Sequence, residues 1–319
     1  MDTDFTDTDR GGVEMAPTAG IESENLYEET AEVPGAAARV PRHAHSRSYL
    51  MCPPTYFDVV YAINDWMRPE EPVDRDRAMS QWSALADTYR RLGHEVLTID
   101  PVEGLPDMVF VTDSGLVVDG VALGARYRST ERRAEAEHVF RWFSDNGLIR
   151  PTLPRYVNEG EGDFLVVGDV ILAGTGFRSD PRSHAEASAH LGRPVITLNL
   201  VNPRYYHLNT ALGVLDDSTI AYLPAAFSPD SRALLEQMYP DAVIAAETDT
   251  DWLGLNLVSD GANVVLPVQA SHLADQLSAR GYEPVPVDYS EFLKSGGGIK
   301  CSTLELRGFR RLRIAEDQG

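Results

Sequence analysis

The chain has 319 residues, 43% of them hydrophobic and 24% charged, which is enough apolar material for a large core, yet no apolar run approaches the ~18–20 residues of a membrane-spanning helix. The formal net charge is −21, and such a surface repels phosphate backbones, so neither nucleic acid nor an anionic membrane is expected as a partner. Cys52 and Cys301 are the only cysteines, which excludes a disulfide framework and a cysteine-rich zinc site.

The opening MDTDFTDTDRGG is acidic where a signal or transit peptide needs basic residues, so a cytoplasmic protein is expected. Residues 1–40 carry ten acidic residues against Arg10 and Arg39, and their bulky apolar residues are few and unpatterned. Burial there cannot offset the entropy of ordering, so residues 1–45 read as a disordered tail ahead of a folded domain over 46–319. The domain opens with a strand at Tyr49–Cys52, a helix at about 74–93 and a strand at Glu95–Ile99. Hairpins follow at Gly115-LVVDGVALG, Phe164-LVVGDVILAG, Leu212-GVLDDSTIAYLP and Gly254-LNLVSDGANVVLP, each with Asp or Gly at its turn. Amphipathic spacing places helices after them at about 130–146, 181–191, 229–239 and 269–280. Further strands are expected at Val195–Leu198, Val243–Ala245, Pro284–Val287 and Ser302–Leu306.

The turn centres Asp119, Asp169, Asp216 and Asp260 are 50, 47 and 44 residues apart. A fixed period of this length signals a repeat architecture. Recurrent two-strand hairpins argue against a Rossmann-like sheet, whose βαβ units lack them. The pattern fits a ring of five ββαβ modules, the fifth assembled from both ends of the domain, with active residues around a central channel.

Cys301 follows the glycine-rich KSGGGIK and precedes the apolar STLEL, a junction where a thiol can be partly exposed and reactive. A lone cysteine also reads as a small buried hydrophobe, and Cys52, in LMCPP, is read that way. His207, in RYYHLNTAL, would form an activated thiolate pair with Cys301 if the fold joined them. His43, His45 and His184 read as loop or tail residues, and no HExxH-type metal spacing occurs. PDMVFVTDSG sets Asp107 and Asp113 six residues apart around what reads as a short strand, hence on one face. NEGEGDF crowds Glu159, Glu161 and Asp163; alone it reads as a solvated turn, but carboxylates converging on a pocket would bind a guanidinium. No glycine pattern forms a phosphate loop.

Taken in order, PDMVFVTD, the EGxGD segment, GTGFR, YHLNT and GGGIKCSTLEL resemble the guanidino-group-modifying superfamily, the penteins, over about residues 48–307. That superfamily includes dimethylarginine dimethylaminohydrolases, arginine deiminases and amidinotransferases. The resemblance implies a five-bladed pseudo-symmetric α/β propeller whose channel holds a Cys–His–carboxylate site. It implies Cys301 as nucleophile, His207 as general acid and base, and Glu159 as the partner acid, with Glu161 a rival. For the substrate it implies Asp113 and Asp107, with Phe110, Glu161, Asp163, Asn209 and Ile299 lining the pocket and Arg132 and Arg178 on the amino-acid carboxylate.

Departures from the patterns bear on the substrate. Deiminases resembling this chain read HLDT where it reads HLNT, so Asn209 stands in place of a second carboxylate. Related arginine dihydrolases read Asn at the place of Asp113 and use it in a second hydrolysis. The resemblance therefore implies hydrolysis of methylated arginine to citrulline and a methylamine, through a covalent thiouronium and without metal or organic cofactor. The alternatives are an arginine deiminase or dihydrolase, an amidinotransferase, and a guanidine-binding protein without turnover. The expected partner is a small guanidine, and the sequence leaves homo-oligomer formation open.

Overall fold

The computed structural model describes residues 42–309. Residues 1–41, most of the segment read as a tail, and the last ten residues lie outside the described part. Residues 42–45 sit against the domain: Arg42 pairs with Asp216 (2.5 Å), and the His45 amide donates to the Asp260 carbonyl (2.9 Å).

The strands in chain order are β1 (Ser48–Met51), β2 (Glu95–Thr98), β3 (Gly115–Val118), β4 (Val121–Gly124), β5 (Ile149–Thr152), β6 (Phe164–Val167), β7 (Val170–Thr175), β8 (Val195–Asn199), β9 (Leu212–Val214), β10 (Ile220–Tyr222), β11 (Val243–Ile244), β12 (Val258–Ser259), β13 (Asn263–Pro267), β14 (Glu283–Val287) and β15 (Leu304–Glu305). Among the described residues they form five three-stranded sheets: β15-β1-β2, β3-β4-β5, β6-β7-β8, β9-β10-β11 and β12-β13-β14. In each, the first pair is antiparallel and the second parallel, with a helix in the crossover. This is the five-module α/β propeller, closed by β15 pairing with β1 in the register Tyr49↔Glu305.

The helix Arg75–Arg91 shows how sequence makes a module. Asp74 caps it by accepting the Arg77 amide (3.0 Å), and Gly93, with φ +88°, takes the chain out of it. Its buried face is Ala78, Trp82, Leu85, Ala86 and Tyr89, the spacing of one helical stripe. Removing a side chain such as Leu85 from water is worth about 2 kcal/mol. Strands β3 and β4 are buried at every position, which explains their unbroken apolar runs.

Some expectations change. PDMVFVTD is no strand: Pro106–Val109 and Val111–Ser114 are consecutive 3-10 turns. A buried arginine explains this, because Arg132 Nη2 donates to the Asp107 and Phe110 carbonyls (3.2 and 3.3 Å), which then need no strand partner. NEGEGDF is not a solvated turn, since Gly160–Asp163 is a buried helical turn. Residues 254–257 turn rather than extend, and the hairpin there starts at Val258. Strand β5, reading IRPT, was not expected; it is a mostly exposed edge strand with a register shift against β4. His184 is neither loop nor tail: it is buried in the helix Arg182–Leu191, bonded to Thr197 Oγ1 (2.8 Å). Among the described residues, no helix is long and apolar enough to cross a membrane.

Candidate active site

Each sheet's first strand is preceded by a short turn, and these five turns build the site. Asn209 Nδ2 donates to the Glu161 carbonyl (3.2 Å), Asn256 Nδ2 to the Asn209 carbonyl (3.0 Å), and the Cys301 amide to Asn256 Oδ1 (3.0 Å). The Thr112 amide extends the series to the fifth turn by donating to the Cys301 carbonyl (3.1 Å). The linked residues are 48, 47 and 45 apart in sequence, so the module period itself delivers one turn per blade to the axis.

His207 Nε2 lies 2.7 Å from Glu159 Oε2. Glu159 also accepts Arg178 Nη1 (3.0 Å) and the Arg128 amide (3.1 Å). The other imidazole nitrogen, Nδ1, lies 3.7 Å from Asp113 Oδ1, and both atoms are buried without a hydrogen-bond partner. Gly162 keeps this gap open: a Cβ there would stand 2.6 Å from Asp113 Oδ1 and 3.1 Å from His207 Nδ1. Asp113 Oδ2 receives Arg132 Nη1 (2.7 Å). Cys301 Sγ accepts Asn256 Nδ2 (3.2 Å) and faces Asn209 Oδ1 (3.7 Å). Cys301 is buried rather than partly exposed, and so is Cys52. The irregular segment between β1 and the first helix roofs the site: Tyr61 Oη donates to Asp107 Oδ2 (2.9 Å), the Ile63 carbonyl accepts Arg178 Nη2 (2.8 Å), and Asn64 Nδ2 donates to the Ser295 carbonyl (3.0 Å).

The electrostatics follow from burial and these pairings. Burial pushes the Cys301 thiol up to about 12, with the Asp113 charge adding to it, while the Gly298 and Asn256 hydrogen bonds and Arg132 oppose. Burial disfavours the His207 imidazolium, but Asp113, Glu159 and Asp163 outweigh it and raise the group above its ordinary value. Burial would raise Glu159, yet Arg178 and His207 hold its carboxyl well below the usual range. Asp163 is raised to about 6 by burial, against the neighbouring His207 charge and the Ser179 and Leu208 hydrogen bonds. Among the described residues, no group of three or more histidine, cysteine or acidic side chains could hold a metal ion.

The remaining candidates divide. Phe110 and Ile299 share a buried cluster with Cys301, Asn209 faces its sulfur, Asp163 accepts the amide next to His207, and Asp107 is buried. Asp107 accepts Ser295 Oγ (2.8 Å), and Asp163 accepts Ser179 Oγ (2.6 Å) and the Leu208 amide (3.1 Å). Glu161 does not join them; its carboxylate engages Lys300 and Arg307 instead of His207. A two-residue step around a helical turn sends Glu159 and Glu161 to different sides. Arg132 donates to Asp113, Glu135 (2.8 Å), Tyr127 and two carbonyls, and Arg178 to Glu159 and Ile63, so internal partners hold both guanidinium groups in place. Sequence reasoning missed Asn256, Gly162 and the arginine-holding Glu135. Asn256 carried no signal beyond lying one module period before Cys301.

A five-module α/β propeller that gathers a cysteine, a histidine and buried carboxylates at its axis defines the pentein class of guanidino-group-modifying enzymes. The chain belongs to the family described as N,N dimethylarginine dimethylhydrolase, eukaryotic, which it matches over residues 58–308. It is 51% identical over 280 residues to the N(G),N(G)-dimethylarginine dimethylaminohydrolase of Mycobacterium tuberculosis, covering 88% of this chain and 91% of that one. The N-terminal domain of ArgZ, a cyanobacterial arginine dihydrolase solved with its product, superposes with a TM-score of 0.78 at 32% identity, covering 82% of this chain and 98% of that domain. A dimethylarginine dimethylaminohydrolase solved as a 4-chloro-2-hydroxymethylpyridine adduct shares the fold, with a TM-score of 0.67 at 21% identity over 82% of this chain and all of that one. The protein is a guanidino-group hydrolase acting through a cysteine nucleophile.

Proposed function

We propose that the enzyme hydrolyses the guanidinium of L-arginine once, giving citrulline and ammonium, with Cys301 as nucleophile, His207 as acid and base, and Glu159 as its partner. The carrying observation is the unmet acceptor Asp113 Oδ1, buried opposite His207 Nδ1, with Gly162 holding the space. A planar cation with several donors answers such a carboxylate best.

The resting thiol is protonated, because burial and Asp113 both oppose a second negative charge. A guanidinium held by Asp113 reverses that field and favours the thiolate, so the nucleophile forms where its target is already oriented. The thiolate attacks the guanidinium carbon, and the imidazolium gives its proton to the departing ammonia. Asn256 Nδ2 steadies the sulfur before attack. His207 then takes a proton from water, which adds to the thiouronium carbon. Collapse releases citrulline and returns the thiolate. Glu159 and Arg178 keep the imidazole aligned through both steps.

Arginine as substrate is supported by the superposition on an arginine dihydrolase domain, with a TM-score of 0.78 at 32% identity. Stopping at citrulline is favoured by Asp113, where dihydrolases resembling this chain carry asparagine. A second reading, hydrolysis of methylated arginine, is supported by the 51% identical relative named for that activity and by Asn209 in place of a second carboxylate beside the thiol. The test is one substrate screen with arginine and with mono- and dimethylarginine, measuring citrulline, ornithine, ammonia and methylamines together. Ammonia and citrulline from arginine, with slower release of methylamines, support the first reading. Faster methylamine release establishes the second, and ornithine formation refutes the single hydrolysis.

A further inference from the structure

The channel has a second end, which the reaction above does not use. There a cavity of about 180 Å³ opens between the hairpin turns, and none of Cys301, His207, Asp113 or Glu159 lines it. A layer of buried and half-buried ions forms its floor. Glu161 engages Lys300 and Arg307, while Glu305 engages Arg47 (2.5 Å) and Arg307 (2.8 Å). Three cations against two carboxylates leave one positive charge in surplus. Two buried donors at this floor, Tyr49 Oη and Arg47 Nε, have no acceptor. The surplus charge and the idle donors ask for one negatively charged acceptor group.

The rim carries the opposite sign. Arg193 bridges Asp119 (2.7 Å) and Asp169 (2.6 Å), Arg42 pairs with Asp216, and Asp217 adds a further carboxylate. Two arginines against four aspartates leave the mouth negative. Between floor and rim the lining includes Leu165 and Leu257, and the floor charges are less screened than the solvent-exposed aspartates of the rim. A plain anion would be repelled at the mouth, and a plain cation at the floor.

We propose that this distal cavity binds a small zwitterionic α-amino acid, its carboxylate on Arg47, Tyr49 and Lys300 and its ammonium toward Asp217 and Asp119. The inference does not depend on which guanidine the enzyme hydrolyses. The test is calorimetric titration of the full-length enzyme with L-alanine, acetate and ethylamine, each up to about 10 mM, a range suited to weak single-site binding. L-alanine is expected to bind at least about tenfold more tightly than either half-ligand. Val214→Trp, which fills the cavity from β9, and Arg47→Met, which removes the floor donor, should each weaken L-alanine by a further tenfold or more, roughly the worth of a charge-assisted hydrogen bond. Melting curves show that each variant is folded, and Val214→Trp carries the test alone if loss of Arg47 unfolds the chain. Acetate binding as tightly as L-alanine would overturn the proposal in favour of a simple anion site. Absence of binding, or L-alanine binding that survives in the folded variants, would overturn it as well.

Discussion

Replacing Glu159 by glutamine removes one charge and almost no volume from a fully buried position. Its Oε2 serves both His207 Nε2 (2.7 Å) and Arg178 Nη1 (3.0 Å), so two charge-assisted hydrogen bonds lose their ionic component. Each such bond is worth about 1.5–3 kcal/mol, so the loss at His207 alone corresponds to roughly a 10- to 150-fold fall in rate. Misalignment of the acid–base group extends the expected fall in kcat to about 10²–10⁴. The imidazolium also loses one of the groups that raise it, so the ionisation of His207 in the kcat profile should move to lower pH. Stability gives an independent reading. Folding holds the Glu159 carboxyl well below the usual range, so its charge stabilises the fold above the unfolded-state value of about 4.3, and that contribution is lost on acidification. The Tm difference between the parent and Glu159→Gln should therefore shrink as pH falls below 4. Glu161→Gln supplies the contrast. It leaves Lys300 and Arg307 buried with less countercharge and should cost about 3–5 kcal/mol of stability, while the His207 ionisation stays in place. Steady-state citrulline formation from pH 6 to about 10 is the assay. A Glu159→Gln enzyme within threefold of the parent, with its pH profile unmoved, would refute the reasoning.

Cys301→Ser should abolish turnover while keeping the melting curve, and Cys52→Ser should retain turnover; product assays with both variants check this. Because the free thiol is pushed up to about 12, carbamidomethylation of Cys301 should accelerate about tenfold per pH unit between pH 7 and 10, without a plateau, as peptide mapping would show. Gly162→Ala puts a methyl group 2.6 Å from Asp113 Oδ1, so kcat/KM should fall at least about tenfold, with KM rising, since the lost space is where the guanidinium would lie. A chain starting at Arg42 keeps the Asp216 ion pair and, on the composition of residues 1–41, should match the full chain in Tm and kcat.

The modules are legible in the sequence. Alternation of hairpins and amphipathic helices is a local property, written in turn residues and apolar spacing, so four hairpins, five helices and the closing strand at 302–306 could be read directly. The residue types of the site were legible too, because cysteine, histidine and clustered acids are chemically distinctive. Which of them meet follows from the closed fold alone. Glu159 and Glu161 are indistinguishable as letters, yet one faces His207 and the other Lys300, because a turn two residues long separates opposite sides of the channel. Nothing in the letters around Arg132 shows that it is the internal counterion of Asp113 and Glu135, a pairing that two buried carboxylates require and that only the fold assembles. Asn256, 45 residues before Cys301, had no local signature at all, because its role consists entirely of contacts across a module boundary. Periodicity along a chain specifies elements; side-chain pairing inside a low-dielectric channel depends on directions that exist only after the ring has closed.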